Sequence, residues 1–213
     1  MYISIGKGVY IGYNSLLGEP PNDSSLDGIE HLFNYSAREF SNSYRPLIIR
    51  DNAIIRDYVS IDLGIRRPTV IGRGCYIHSR ASIHHDVKLA DACIVGPNVC
   101  LCGSVSVDYN AQLGASSTVH QGLTIGAYSM VGMGAAVVSS IPPFLLVYGI
   151  PARPKKINYK KILPYFSKPE IDYHLNGYFD ACLSGSVAHF FLEKQLPSFF
   201  RDPISNYIWA DSV

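Results

Sequence analysis

The sequence predicts an all-β solenoid, a parallel β-helix of six-residue repeats followed by a small helical C-terminal segment. Counting in sixes from Ile71 gives Ile77, Ile83, Leu89, Val95, Leu101, Val107, Leu113, Val119, Ile125, Val131 and Val137 without a slip. In a chain that is about a quarter Ile, Leu and Val, such a run arises by chance on the order of once in ten million. The residue two before each anchor is usually small or slim (Thr69, Cys75, Ala81, Cys93, Ala111, Ser117, Ser129, Ala135), and the residue after it is often glycine (Gly72, Gly96, Gly114, Gly126, Gly132). Past Asn158 the period disappears and aromatic residues with scattered prolines replace it.

A period of six fits neither the 3.6 of a helix nor the two of a flat strand. It fits short strands joined by corners, with three hexads closing a triangular turn of eighteen residues and successive turns stacking about 4.8 Å apart. The anchors then form one core, each contributing roughly 1.5–3 kcal/mol by burial. The glycines after the anchors are expected to supply positive φ at the corners. His78, His84 and His120 share that slot, and a structural corner role is expected for them.

Ile5, Ile11 and Leu17 already keep the period, so the coil is expected to begin almost at once. It is interrupted at 18–46, a Pro-, Ser-, Asn- and Asp-rich stretch whose length marks it as a functional loop. The period returns at Ile49, Ile55 and Ile61, and the break across Asp62–Val70 predicts a second, shorter loop. Pro142 and Pro143 cannot donate to a ladder, which places the end of the coil near residue 150. The expected organisation is thus a β-helix over 1–157 with a loop insertion at 18–46, and an aromatic-rich helical segment over 158–213. In that segment Ser167 is a plausible cap, Ile171, Leu175, Tyr178, Phe179 and Cys182 have helical spacing, and 186–196 can form a second helix that braces the open end.

Composition narrows the function. A net charge of +1 and the absence of a basic run argue against a nucleic-acid partner. No apolar run approaches the length of a membrane span, and no secretory signal is evident, so a cytoplasmic location is expected. Five cysteines, with Cys75 and Cys93 at inward positions, suit reduced core-filling thiols.

The eighteen-residue turn also serves as a ruler. His85, Gly103 and Gln121 are spaced by eighteen, which puts them in one column on one edge of the prism. A neutral histidine near pH 7 can take a proton from an attacking hydroxyl or amine, and a glycine amide one turn away can donate to a developing oxyanion. That pairing suits acyl transfer, although an ordinary solvated histidine would occupy the same slot equally well. His84, Cys102 and His120 form a parallel column, which raises the alternative of a zinc-binding, carbonic-anhydrase-like β-helix. Its outer histidines would lie about 9.6 Å apart, and Ile125 stands where a third histidine would be expected, so no metal ligands are assigned.

The repeat resembles the hexapeptide-repeat acyltransferases, and that resemblance implies a left-handed β-helix and a homotrimer with active sites between subunits. The stretch from Ile83 to Phe144, with its "IHHD" and "VHQ" motifs, is similar to the UDP-N-acetylglucosamine O-acyltransferases over roughly residues 1–158. Carried over by motif, the resemblance implies His85 as general base, Asp86 as its partner and Gly103 as oxyanion donor. It also implies Gln121 on the acyl-donor side, His120 on the acceptor side, and Asn22 and Asp23 of "LGEPPND" as acceptor contacts. The family's histidine after the oxyanion glycine is Ser104 here. Met133 falls in a slot that stays small where those enzymes house a long acyl chain. It lies twelve residues past Gln121, on a different edge, where in a trimer it would line a site shared with the neighbouring chain. "GIPAR" (149–153) resembles the closing motif of acetyl-CoA-dependent hexapeptide transferases, which makes Arg153, with Lys155 and Lys156 behind it, a candidate for the coenzyme A phosphates.

Together these features lead to an expected transfer of an acetyl group from acetyl-CoA to an amino or hydroxyl group of a nucleotide-linked sugar, in bacterial surface-polysaccharide synthesis. An acyl carrier protein-dependent O-acyltransferase is the alternative.

Overall fold

The computed structural model describes residues 3–21 and 44–184. The coil is a three-faced prism of stacked parallel strands. The first face stacks Ile3–Ile5, Leu47–Ile49, Thr69–Ile71, Lys88–Leu89, Ser106–Val107 and Thr124–Ile125. The second runs through Tyr10–Ile11, Ile54–Ile55, Tyr76–Ile77, Ile94–Val95, Gln112–Leu113 and Met130–Val131. The third holds Leu16–Glu19, Ser60–Asp62, Ser82–Ile83, Cys100–Leu101, Thr118–Val119 and Ala136–Val137. From Ile71 to Val137 every anchor is buried, and so are the slim residues two positions before, including Cys75 and Cys93. Leu89 pairs with Val107 and Leu101 with Val119, the expected eighteen-residue register.

Below that run the register widens. Ile61 pairs with Ile83, twenty-two residues on (83 − 61), because the loop between Asp62 and Thr69 adds four residues to the turn. Leu17 pairs with Ile61 across the long insertion, of which residues 22–43 lie outside the described residues. Ile5 is 52% exposed and Ile11 also exposed, rather than buried like later anchors. Among the described residues no strand pairs with the outer side of the first turn, so the inward face of these anchors is covered from one side only.

The corners correct one expectation. Left-handed φ falls not on the residue after the anchor but two positions later, at Arg80, Asp86, Ala92, Asn98, Ser104, Asn110 and their counterparts. His78, His84 and His120 therefore do not occupy left-handed corners. The glycine directly after the anchor has another cause: a Cβ on Gly72 would lie 2.4 Å from the backbone of Ala90 in the next turn, and one on Gly126 would lie 2.4 Å from Pro143 N. At these glycines the neighbouring turn approaches too closely for a side chain, whereas the same slot carries side chains at His78, His84 and His120.

At the C-terminal end the prolines do not stop the coil. Ile141 bridges to Ile125, Pro142 and Pro143 occupy the turn, and Leu145–Tyr148 adds one more parallel strand beside Met130–Val131. The chain then reverses, and Arg153–Ile157 pairs antiparallel with that strand. Helices Tyr159–Ile162, Lys168–Leu175 and Tyr178–Ser184 follow. Ser167 serves as the expected cap, with its backbone N–H and hydroxyl both donating to Glu170. The single predicted helix is broken at Asn176–Gly177, where Gly177 takes φ +81°. Ile162, Ile171, Leu175 and Tyr178 are buried, and the Tyr178 hydroxyl donates to the Pro143 carbonyl (3.1 Å), fastening the helices to the last turn. The proposed second helix over 186–196 lies outside the described residues.

Candidate active site

His85 sits on the corner that joins the third-face strand Ser82–Ile83 to the first-face strand Lys88–Leu89. Its side chain is 24% exposed, and its Nδ1 lies 3.1 Å from Asp86 Oδ2. An ionised carboxylate only accepts, so Nδ1 donates in this contact, and in the neutral ring Nε2 is left as the acceptor.

Asp86 is 1% exposed, and its other oxygen, Oδ1, accepts the backbone N–H groups of Ile65 (2.8 Å), Arg66 (3.0 Å) and Arg67 (3.0 Å). The short loop 63–68 is thus wrapped around one carboxylate. Burial pushes the Asp86 carboxyl up. The donors outweigh that, the Arg67 N–H first, then the His85 ring, Ile65 and Arg66, and hold it below the ordinary carboxylate value. The Asp86 N–H donates to buried Thr69 Oγ1 (3.0 Å), which fixes its left-handed backbone.

Arg67 ties this corner to the next turn. Its Nε donates to the Asp86 carbonyl (2.8 Å), and one terminal nitrogen donates to the Ser104 carbonyl (2.8 Å) and to Ser106 Oγ (3.3 Å). Gly103 lies directly under the His85 ring: a Cβ there would be 2.5 Å from both Cε1 and Nε2. Among the described residues the Gly103 N–H donates to no acceptor, while the adjacent Ser104 N–H bonds the His85 carbonyl (2.8 Å). A histidine with a free Nε2 above an unblocked amide provides a proton acceptor and an oxyanion donor side by side.

Not all the other expected site residues gather here. Gln121 continues the column one turn beyond Gly103, on the side away from His85, exposed, with the neighbouring His120 Nδ1 3.2 Å from the Gln121 carbonyl. Met133 is 79% exposed on the corner after the second face, so within one chain it does not line the His85 site. Arg153 and Lys155 lie on the last strand, exposed, with Lys155 Nζ 5.2 Å from the Tyr148 ring. The loop at 149–152 docks on the third face through Ala152 N–H to the Ala136 carbonyl (2.7 Å) and Ala136 N–H to the Gly149 carbonyl (3.1 Å). Asn22 and Asp23 lie outside the described residues. The His84–Cys102–His120 column does not converge: the His84 ring turns to Asp62 Oδ2 (3.5 Å) and towards Cys100, and among the described residues no group of three metal-ligating side chains is placed to share an ion.

Sequence reasoning missed Arg67 and Thr69. Both depend on where a four-residue insertion folds, and no periodic signal marks that place.

Residues 68–103 match the family model described as bacterial transferase hexapeptide (six repeats), and residues 104–139 match the hexapeptide repeat of succinyl-transferase. The chain is 38% identical over 117 residues to the acyl-[acyl-carrier-protein]–UDP-N-acetylglucosamine O-acyltransferase of Pseudomonas paraeruginosa, a match spanning 54% of this chain and 45% of that relative. The chain therefore aligns with a little under half of the length of that relative. Among solved structures, a UDP-N-acetylglucosamine acyltransferase from Bacteroides fragilis superposes with TM-score 0.81 at 24% identity, over 97% of this chain and 78% of that one. The corresponding protein of Campylobacter jejuni gives 0.75 at 23%, over 96% and 84%. These likenesses make the coil a left-handed β-helix built of hexapeptide repeats.

Proposed function

We propose that this chain is an acyltransferase that moves a short acyl group from a coenzyme A thioester to a nucleotide-linked sugar, with His85 as general base. The observation that carries this reading is the His85–Asp86 pair, set by three N–H donors and poised above Gly103. The acceptor amine or hydroxyl attacks the thioester carbonyl while His85 Nε2 takes its proton. The Gly103 N–H donates to the oxyanion, and collapse of the tetrahedral intermediate breaks the C–S bond. The imidazolium then returns its proton to the leaving thiolate, so no covalent enzyme intermediate is required. Asp86 fixes the tautomer and stabilises the imidazolium.

The "GIPAR" motif supports a coenzyme A donor, with Arg153, Lys155 and Gln121 on the donor side. Asn22, Asp23 and His120 are the proposed acceptor contacts. A homotrimer would bring Met133 of one chain towards the His85 corner of another. A second reading, a longer acyl group delivered by acyl carrier protein to a sugar hydroxyl, is favoured by the name of the Pseudomonas relative and by the placement of Met133 on a different corner from His85 within one chain. Purified protein assayed with acetyl-CoA and with long-chain acyl carrier protein, against a panel of nucleotide sugars and amino sugars, separates the two. Preference for acetyl-CoA supports the first, and preference for the long chain replaces it with the second.

A further inference from the structure

We propose that Cys100 is a nucleophile of this chain, a thiol paired with His84 and Asp62 that accepts an acyl group from a thioester to form an S-acyl cysteine on the outer side of the third face. His84 and His85 are adjacent in sequence but serve different carboxylates. His85 turns to Asp86 at the corner, while His84 stays over the third face with Nδ1 3.5 Å from Asp62 Oδ2 and Nε2 3.8 Å from Cys100 Sγ. The order thiol, imidazole, carboxylate is the arrangement that activates a cysteine nucleophile. The strands create it. Ser82 and Cys100 are register partners on the third face, so Cys100 projects outward one turn above Ser82, whose Oγ also lies 3.5 Å from His84 Nε2. Asp62 ends the third-face strand below, beside His84, because the loop after it makes that turn twenty-two residues long instead of eighteen (83 − 61).

The electrostatics agree with the geometry. Asp62 first, and then Cys100, hold the His84 imidazolium and push its pKa up to about 10, against the opposing effect of burial. His84 in turn pulls the Cys100 thiol below its ordinary value despite burial. Cys102, the other thiol facing this group, is pushed up by burial and by the charge of Cys100, which leaves Cys100 as the reactive member. Among the described residues Asp62, Ser82, His84, Cys102 and, one turn on, Thr118 are the polar and titratable groups facing Cys100. The His84 side chain is 44% exposed, so a donor can reach the pair.

The step balances without an oxidant or reductant. The Cys100 thiolate attacks the thioester carbonyl, a new C–S bond forms, and collapse breaks the donor's C–S bond. The departing thiolate takes the proton from His84. Only the donor class rests on the function proposed above. Cys100 and Gly103 belong to the same turn, three residues apart, which puts this thiol on the face that carries the His85 corner.

The test is intact-mass and peptide mapping after incubation with acetyl-CoA, and separately with a long-acyl thioester, in the absence of any sugar. The expected result is one hydroxylamine-labile acyl group on the Cys100 peptide. It should be lost in Cys100→Ser, retained in Cys102→Ser, and formed about tenfold more slowly in His84→Gln. Iodoacetamide supplies a readout independent of acyl donors: Cys100 is expected to react about tenfold faster at pH 6 than free cysteine, and to lose that advantage in His84→Gln. Absence of acylation with both donors overturns the proposal even if alkylation is fast, and so does labelling that is unchanged in His84→Gln. Labelling of Cys100 without turnover of any sugar leaves this inference standing and counts against the proposed function, whereas sugar turnover without labelling does the reverse.

Discussion

Gly103→Ala isolates the contact between the proposed base and the proposed oxyanion donor. A methyl carbon at that position lies 2.5 Å from His85 Cε1 and Nε2 and 3.1 Å from Nδ1. Ordinary carbon contacts are about 3.5 Å, so the ring has to retreat by about 1 Å. A displacement of about 1 Å at the reacting groups costs on the order of 10²-fold in rate. Gly103 is not in the left-handed region, so alanine adds no backbone strain, and the thermal midpoint is expected to move by no more than about 2 °C. The assay is steady-state acyl transfer monitored by thiol release, with thermal denaturation as the control. The expected signature is a fall in kcat of about 10² at unchanged fold stability. Full activity in Gly103→Ala, with His85 still bonded to Asp86, would refute the placement of the reaction between them.

The remaining predictions follow from neighbouring contacts. Asp86→Asn puts an amide where the carboxylate accepts from four N–H donors; the amide nitrogen facing His85 forces the other tautomer, and turnover is expected to fall by about 10²–10⁴-fold. Because the folded-state Asp86 carboxyl is held below its unfolded value, its stabilisation is present above about pH 4 and lost as pH falls through the folded value. Thermal midpoints of wild type and Asp86→Asn should therefore converge towards pH 2. Arg67→Ala removes side-chain bonds to Asp86, Ser104 and Ser106, and should lower turnover about tenfold. Arg67→Lys should not restore it, since a lysine cannot span both carbonyls. Gly72→Ala, pressed against the next turn, should destabilise by about 1–3 kcal/mol in denaturant titration. Gly74→Ala, at φ +64° with open space around it, should cost about 1 kcal/mol, from backbone strain alone.

Individual residues show where the sequence was readable and where it was not. The six-residue period determines the register wherever each turn holds eighteen residues, which is why the alignment of His85, Gly103 and Gln121 is legible in the spacing alone. The same ruler fails across the loop after Asp62, where the turn holds four extra residues. Asp62 therefore meets His84 rather than the position eighteen away, and neither the Arg67 clamp nor the Cys100–His84–Asp62 line was visible. The recurrence of glycine after the anchors shows that a side chain is avoided there, but not whether backbone angle or inter-turn distance excludes it, and here it is the distance. Met133 shares the repeat slot of Gly103 but sits on another corner, because the thirty residues between them (133 − 103) are one turn and two thirds. The C-terminal helices were legible from Ser167 and the apolar spacing, and the break at Gly177 belongs to one residue's φ.

The central claim is that His85 is the base for acyl transfer to a nucleotide-linked sugar, and its most direct test is the initial rate of thiol release by wild type and His85→Ala with the best donor and acceptor pair. The account predicts a loss of about 10²–10⁴-fold in His85→Ala, with the assembly and thermal midpoint of wild type. Wild-type rates in His85→Ala would contradict it.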